Sequence, residues 1–293
     1  MSRIERDEDE IEASRAPLMD HLIELRGRLV ICVVAFVLGF ILCFAFSEPL
    51  YIFLVKPFAA AAAFHSAVGP GGHVSPLDLI LGTAGLKALP VVDGQMVNLI
   101  YTAPLEFLFT KMKLAGFGAV VVTFPILAWQ LYRFVAPGLY RNEKGAFLPF
   151  LLAAPLLFLL GAALVYFVML PFVMWFSLSQ QITGSGVSAE LLPKVSDYLN
   201  LVTALLLAFG LCFQLPVVMT LLGLAGIISS KVMAEGRRYA IVGVVVVAAV
   251  VTPPDPISQL MLAIPLVLLY EVSIWCVRLI ELRRRQADAT TPA

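Results

Sequence analysis

The sequence predicts an all-α, polytopic integral membrane protein with six transmembrane helices. Two observations carry that prediction. Of 293 residues, 60% are hydrophobic and only 14% are charged, with a mean hydropathy of +0.94. A soluble domain is roughly half apolar and a quarter charged, so the excess needs lipid as part of its solvent. The apolar residues also fall in six continuous runs rather than in alternation. A bilayer core about 30 Å thick needs roughly 20 apolar residues of helix, and only a helix or a closed barrel satisfies its backbone polar groups there.

The first run goes from Leu29 to Phe46 and stops at Ser47-Glu48-Pro49. The second goes from Leu114 to Leu131. Past Pro104 the chain already reads as helix, so this element is expected to begin outside the lipid and run into the span without a break. The third goes from Ala146 to Phe176 and contains Pro149, Pro155 and Pro171, which predict kinks. The fourth goes from Tyr198 to Leu224 with Pro216 inside it. The fifth, Tyr239 to Val251, is too short to cross an unperturbed bilayer, which must thin there or leave the helix sheltered by its neighbours. The sixth, Ile257 to Val277, is also expected to be short. Between these two, Pro253, Pro254 and Asp255 read as a structural turn, with Asp255 as N-cap and Pro256 at the first helical position.

Flanking these spans, residues 1–17 read as a disordered acidic tail, 18–282 as the membrane domain and 283–293 as a basic and then disordered tail. No cleavable signal peptide is visible. Between the first two spans, Gly69-Pro70-Gly71-Gly72 reads as a flexible turn in a long connection.

Basic residues set the orientation. One side holds Arg3, Arg6, Arg15, Arg26, Arg28, Arg133, Arg141, Lys144, Lys231, Arg237, Arg238, Arg278, Arg283, Arg284 and Arg285. The other holds Lys56, Lys87, Lys111, Lys113 and Lys194. The first side, with both termini, is therefore expected in the cytoplasm.

The net charge is zero and there is no basic tract, so nucleic acid is not an expected partner. Cys32, Cys43, Cys212 and Cys276 lie in apolar runs and read as small hydrophobic side chains. His21, His65 and His73 have no neighbour at metal spacing. No cofactor or metal is expected, and an enzyme is not, because no nucleophile elbow, metal box or phosphate loop occurs.

Four polar constellations remain. Leu18, Leu22, Leu25 and Leu29 recur at helical spacing, giving an interfacial amphipathic helix with Glu24 one turn before Arg28. Read alone, Glu24 and Arg28 form a surface ion pair. Glu143 is the one carboxylate in a basic loop, Phe134 to Lys144, and reads either as a solvated charge or as an acceptor for a cationic ligand. Gln214 and Glu271 lie inside apolar runs, where polar groups are costly. Gln214 either receives a polar group from a partner helix, in a groove beside the short fifth helix, or satisfies the backbone near Pro216. Glu271 reads as pairing toward Arg278.

These segments, in this order, resemble the TatC family, the multi-span receptor subunit of the twin-arginine protein translocase. The resemblance rests on HLIELRGRL at 21–29, FVAPGLYRNEK at 134–144, SDYLNLV at 196–202, FGLCFQLPV at 209–217 and VVTPPDPISQ at 250–259. It implies a cup-shaped bundle in the bacterial inner membrane. It also implies recognition of the paired arginines of signal peptides on folded substrates, with Glu24 and Glu143 at the site. Arg26, Phe134, Pro137, Leu139 and Tyr140 belong to the same two motifs. Single-span TatA-like and TatB-like subunits, membrane lipid and further copies of the chain are the implied partners, with Gln214, Phe213 and Pro216 the candidate contacts to a partner helix. Two positions depart from the family pattern: Gln214 stands where some members carry glutamate, and Lys194 where some carry aspartate, with Asp197 next to Tyr198. The rival reading is a small-solute secondary transporter, disfavoured by the lack of an internal repeat.

Overall fold

The structure is a computed structural model. It describes residues 3–68, 75–88, 90, 99–135, 144–184, 187–189, 192–224, 226–251 and 256–290. Side chains are described over the same ranges except 3–18, 20, 21, 134, 135, 144–151, 182–184, 187–189, 251, 257, 258 and 284–290.

The first span is part of a long helix, α1 (Arg3–Ala45). It reaches back through the acidic segment, where a structureless tail was expected. Residues 3–15 are mostly Glu, Asp, Arg, Ile and Ala, with no glycine or proline to stop a helix. Over Leu22–Ala45 most of the side chains are exposed, as a helix bordered by lipid requires.

After a single turn residue, Phe46, a second helix follows, α2 (Ser47–Val68). Ser47-Glu48-Pro49 ends the first span as expected, yet the same residues open α2. Small polar, acidic and proline residues are also helix-start signals. α2 is one of six helices long and apolar enough to cross a membrane, the others lying within Leu22–Ala45, Glu106–Arg133, Leu152–Ser179, Val195–Leu224 and Gln259–Arg283. Its packing gives it another role. Tyr51 meets Phe107, and Phe58 meets Tyr198, residues near the starts of α4 (Glu106–Val135) and α7 (Val195–Cys212). Its last turns carry Phe64, over which Lys87 sits. α2 therefore lies across one end of the bundle, where α1 stops and α4 begins, together with the short α3 (Pro76–Thr83).

α4 is continuous from Glu106, as the sequence predicts, and at 30 residues is about 45 Å long. The third span is α5 (Lys144–Leu164), a π-turn at Val165–Met169 and α6 (Leu170–Ser179). The irregularity falls just before Pro171, whose missing N–H cannot continue the helical ladder. Leu170 N–H instead reaches back to Val165 O. A two-stranded antiparallel hairpin, β1 (Ile182–Gly184) with β2 (Val187–Ala189), joins α6 to α7. It departs from the all-helical expectation in a segment with β-branched residues flanking glycines.

The fourth span breaks at Phe213–Gln214 into α7 and α8 (Leu215–Leu224), just ahead of Pro216. A capped turn of helix, α9 (Ser230–Glu235), leads to α10 (Arg237–Val251). At 15 residues α10 is about 22 Å long, short of the hydrocarbon thickness. α11 (Pro256–Thr290) starts at the proline the sequence assigned to its first position. It was expected to be short; its apolar part ends near Val277, but the helix runs on as a charged arm because Glu, Leu, Arg, Gln and Ala all favour helix. Pro253, Pro254 and Asp255 lie outside the described residues, as do residues 69–74.

Neighbours in the bundle follow a chain: α1 on α4, α4 on α7, α7 on α5, then α8 on α11 and α11 on α10. The largest buried cluster, including Leu54, Phe58, Leu114, Met169, Tyr198, Val202 and Phe209, joins α2 to the spans. At the α5–α7 crossing, a Cβ on Gly161 would stand 2.8 Å from Phe209 O, and one on Gly210 would stand 2.5 Å from the Phe158 ring. Only glycine lets these two backbones approach so closely.

Candidate functional site

At the end of the bundle opposite α2, the HLIELRGRL segment is helix. Leu22, Leu25 and Leu29 are exposed there, so the leucine stripe faces away from the bundle, as an interfacial helix requires. Arg26 is exposed. Glu24 is engaged by Arg28: both Nε, at 3.2 Å, and Nη2 of the arginine donate to Glu24 Oε1. Arg28 is not only a helix-surface partner, because its Nη1 also donates to Gln130 O on α4 at 3.4 Å. This second contact, invisible in the sequence spacing, brings Glu24 beside the last turns of α4. The loop that follows α4 carries Pro137, Leu139, Tyr140 and Glu143, which lie outside the described residues, as does the side chain of Phe134.

Gln214 sits at the α7–α8 break, 9% exposed. Its Nε2 donates to Ala154 O on α5 at 2.8 Å, while Oε1 has no hydrogen-bond partner among the described residues. Neither sequence reading anticipated this. The amide turns to α5 rather than to a groove beside α10, and it does not mend a carbonyl freed by Pro216. A break in the helix swings the side chain out of the i, i+4 register that would reach its own backbone. Phe213 is 3% exposed and packs into the core against Phe209, and Pro216 is buried. All three side chains are buried.

Glu271 does not pair toward Arg278. It accepts a hydrogen bond from Arg237 Nη2 at 2.8 Å, across the α10–α11 contact. Seven residues of helix separate Glu271 and Arg278 by about 10 Å along the axis, whereas the start of α10 lies alongside. Glu281 accepts from Ser230 N and Oγ at 2.8 and 2.5 Å, and Tyr270 donates to Met233 O, so α9 is tied to α11 as well.

The end covered by α2 holds a clasp that sequence reasoning missed. Ile100 bridges Lys194, with Ile100 N donating to Pro193 O and Val195 N to Ile100 O. Beside it the Glu106 carboxylate accepts from Thr102 N, Ala103 N and Ser196 Oγ, the last at 2.6 Å. The available signal was an acid in the first turn of a helix, the position where carboxylates cap free N–H groups. An apolar cavity of about 300 Å³ lies between α1, α2, α4 and α5, lined among others by Phe53, Phe117, Val121, Leu159 and Phe167. The one hydroxyl on its wall, that of Tyr166, donates to Phe53 O. It lacks the convergent polar groups of a small-solute site.

Comparison with known proteins places this bundle in a family. The family model described as Sec-independent protein translocase protein (TatC) matches residues 20–265. The chain belongs to the TatC family. A Magnetococcus marinus TatC is 40% identical over 279 residues, 95% of this chain and 90% of its own length. A Rickettsia prowazekii TatC is 36% identical over 266 residues, 90% of this chain and 94% of its own. A crystal structure of a twin-arginine translocase receptor TatC superposes with a TM-score of 0.67 at 34% identity, covering 88% of this chain and 98% of the other. As a TatC family protein, this chain is a multi-pass membrane component of a protein translocase. The solute-transporter alternative has no support in these comparisons.

Proposed function

We propose that this chain is the signal-peptide receptor and core subunit of a twin-arginine translocase in the bacterial inner membrane, with both termini cytoplasmic. Glu24 and Glu143 jointly receive the paired arginines of the signal peptide, within a surface formed by Arg26, Phe134, Pro137, Leu139 and Tyr140. The chain assembles with TatA-like and TatB-like single-span subunits and with further copies of itself to export folded proteins. Gln214 is the polar contact offered to a partner helix, with Pro216 and Phe213 shaping the break around it.

The observation that carries the reading is Glu24 held beside the last turns of α4 by Arg28. In the sequence Glu143 follows the end of α4 by eight residues, which supports reading the two acids together. A guanidinium fork matches a carboxylate bidentately. Removing one partner of a desolvated pair costs on the order of 2–5 kcal/mol. Glu143→Ala is therefore expected to weaken binding of a twin-arginine peptide at least about tenfold, and Glu143→Lys more. Purified Glu143→Lys protein binding the peptide as tightly as wild type would overturn the assignment.

A further inference from the structure

Arg28 stands between two elements that such a receptor needs in register. Its side chain is mostly covered, at 15% exposure, and leaves α1 one turn after Glu24. One guanidinium makes three contacts: two to Glu24 Oε1 and one to Gln130 O. The group is planar and its donors are fixed in a fork, so Glu24 Oε1 and the α4 backbone are held in a set relation. Gln130 lies in the last turns of α4, where carbonyls carry partial negative charge and favour a cation.

We infer that Arg28 is a positioning residue for signal-peptide recognition, holding the Glu24 carboxylate against the end of α4 and so setting where a substrate guanidinium meets it. This rests on the reading that Glu24 receives an arginine of the signal peptide. A cation beside an acceptor carboxylate could instead act as a competitor that the peptide displaces. Two features favour positioning. Glu24 is 39% exposed while Arg28 is largely covered, so the acid is the member of the pair that faces an arriving ligand. Arg28 is also anchored at a second point, Gln130 O, which a displaced competitor would have to give up at every binding event.

The test uses the full chain in lipid nanodiscs and a fluorescent twin-arginine signal peptide, with Arg28→Gln, Arg28→Lys, Glu24→Gln and the two Arg28 variants combined with Glu24→Gln. Arg28→Gln is expected to weaken binding about tenfold, and to add less than about twofold once Glu24 is already glutamine. Arg28→Lys is expected to recover part of the loss, because it keeps the charge without the fork. Tighter binding by Arg28→Gln would make the residue a competitor and overturn the inference. An equal loss in both backgrounds would overturn it as well, since a residue that only supports the fold acts regardless of Glu24. Should Arg28→Gln not assemble, Arg28→Lys in the two backgrounds decides by the same comparison. If Glu24→Gln weakens binding and Arg28→Gln does not, this inference alone falls. If Glu24→Gln binds like wild type, the receptor-site reading fails, and this inference with it.

Discussion

Replacing Gln214 by leucine separates a structural amide from one reserved for a partner. The substitution removes the hydrogen bond from Nε2 to Ala154 O, 2.8 Å long. Such interhelical bonds are worth roughly 0.6 kcal/mol on average and up to about 2 in membranes. It also removes Oε1, a buried acceptor with no partner among the described residues. An unsatisfied buried acceptor costs about 1–3 kcal/mol, so its loss is a gain. The two effects nearly cancel, leaving the isolated chain between about 1 kcal/mol less stable and about 2 kcal/mol more stable. At roughly 2–4 °C per kcal/mol, the thermal midpoint in detergent should fall little or rise. Association with the single-span subunits, read by co-purification and crosslinking, should drop several-fold if the proposed partner contact is made through Oε1. Signal-peptide binding should not change. Gln214→Glu should be tolerated in its protonated form, which keeps a donor and an acceptor. A midpoint lowered by ten degrees or more with partner crosslinking intact would refute the reasoning and leave the amide as a strut to α5.

Three further outcomes follow from the packing and the charge pattern. Single cysteines in a background lacking the native ones should react with an impermeant reagent from outside at the exposed Leu86 but not at the exposed Lys231; the reverse pattern would invert the orientation. Gly161→Val should destabilise the α5–α7 crossing by about 1–3 kcal/mol in detergent unfolding, because its Cβ would already stand 2.8 Å from Phe209 O. Glu271→Gln and Arg237→Ala should each lower stability by no more than about 1 kcal/mol, since the pair is partly exposed; a double-mutant cycle reads their coupling directly.

Much of the bundle was legible because lipid leaves so few options. A run that must pair its own backbone in hydrocarbon reads as helix whatever its neighbours do, and Pro171 and Pro216 mark their breaks locally. The short α10 was legible for the same reason, from Arg238 and the prolines that bound it. α2 was not, because Ser47-Glu48-Pro49 serves equally as a stop and a start, and only contact with Phe107 and Tyr198 shows where the following residues go. At the site, Glu24 and Arg28 were visible as a spacing, but the reach of Arg28 to Gln130 depends on how α1 lies on α4. Glu271 is the same case: the spacing offers Arg278 on its own helix, and the partner is Arg237 on a neighbouring one.

The clasp at the end covered by α2 bears on how the chain is made. Ser196 and Glu106 are separated by 90 residues, and the backbone bridge beside them joins equally distant segments. At about 5–20 residues per second, Glu106 is synthesised roughly 5–20 seconds before Ser196 exists to meet it. During that interval α4 and α5 have to settle as a helical pair without the tie that later fixes the start of α4. Arrival of α7 then closes that end and supplies Gly210 to the α5 crossing at the same time. Truncations that stop short of Val195 should therefore insert their helices yet leave the loops at that end open to protease, and extension past Gly210 should close them together.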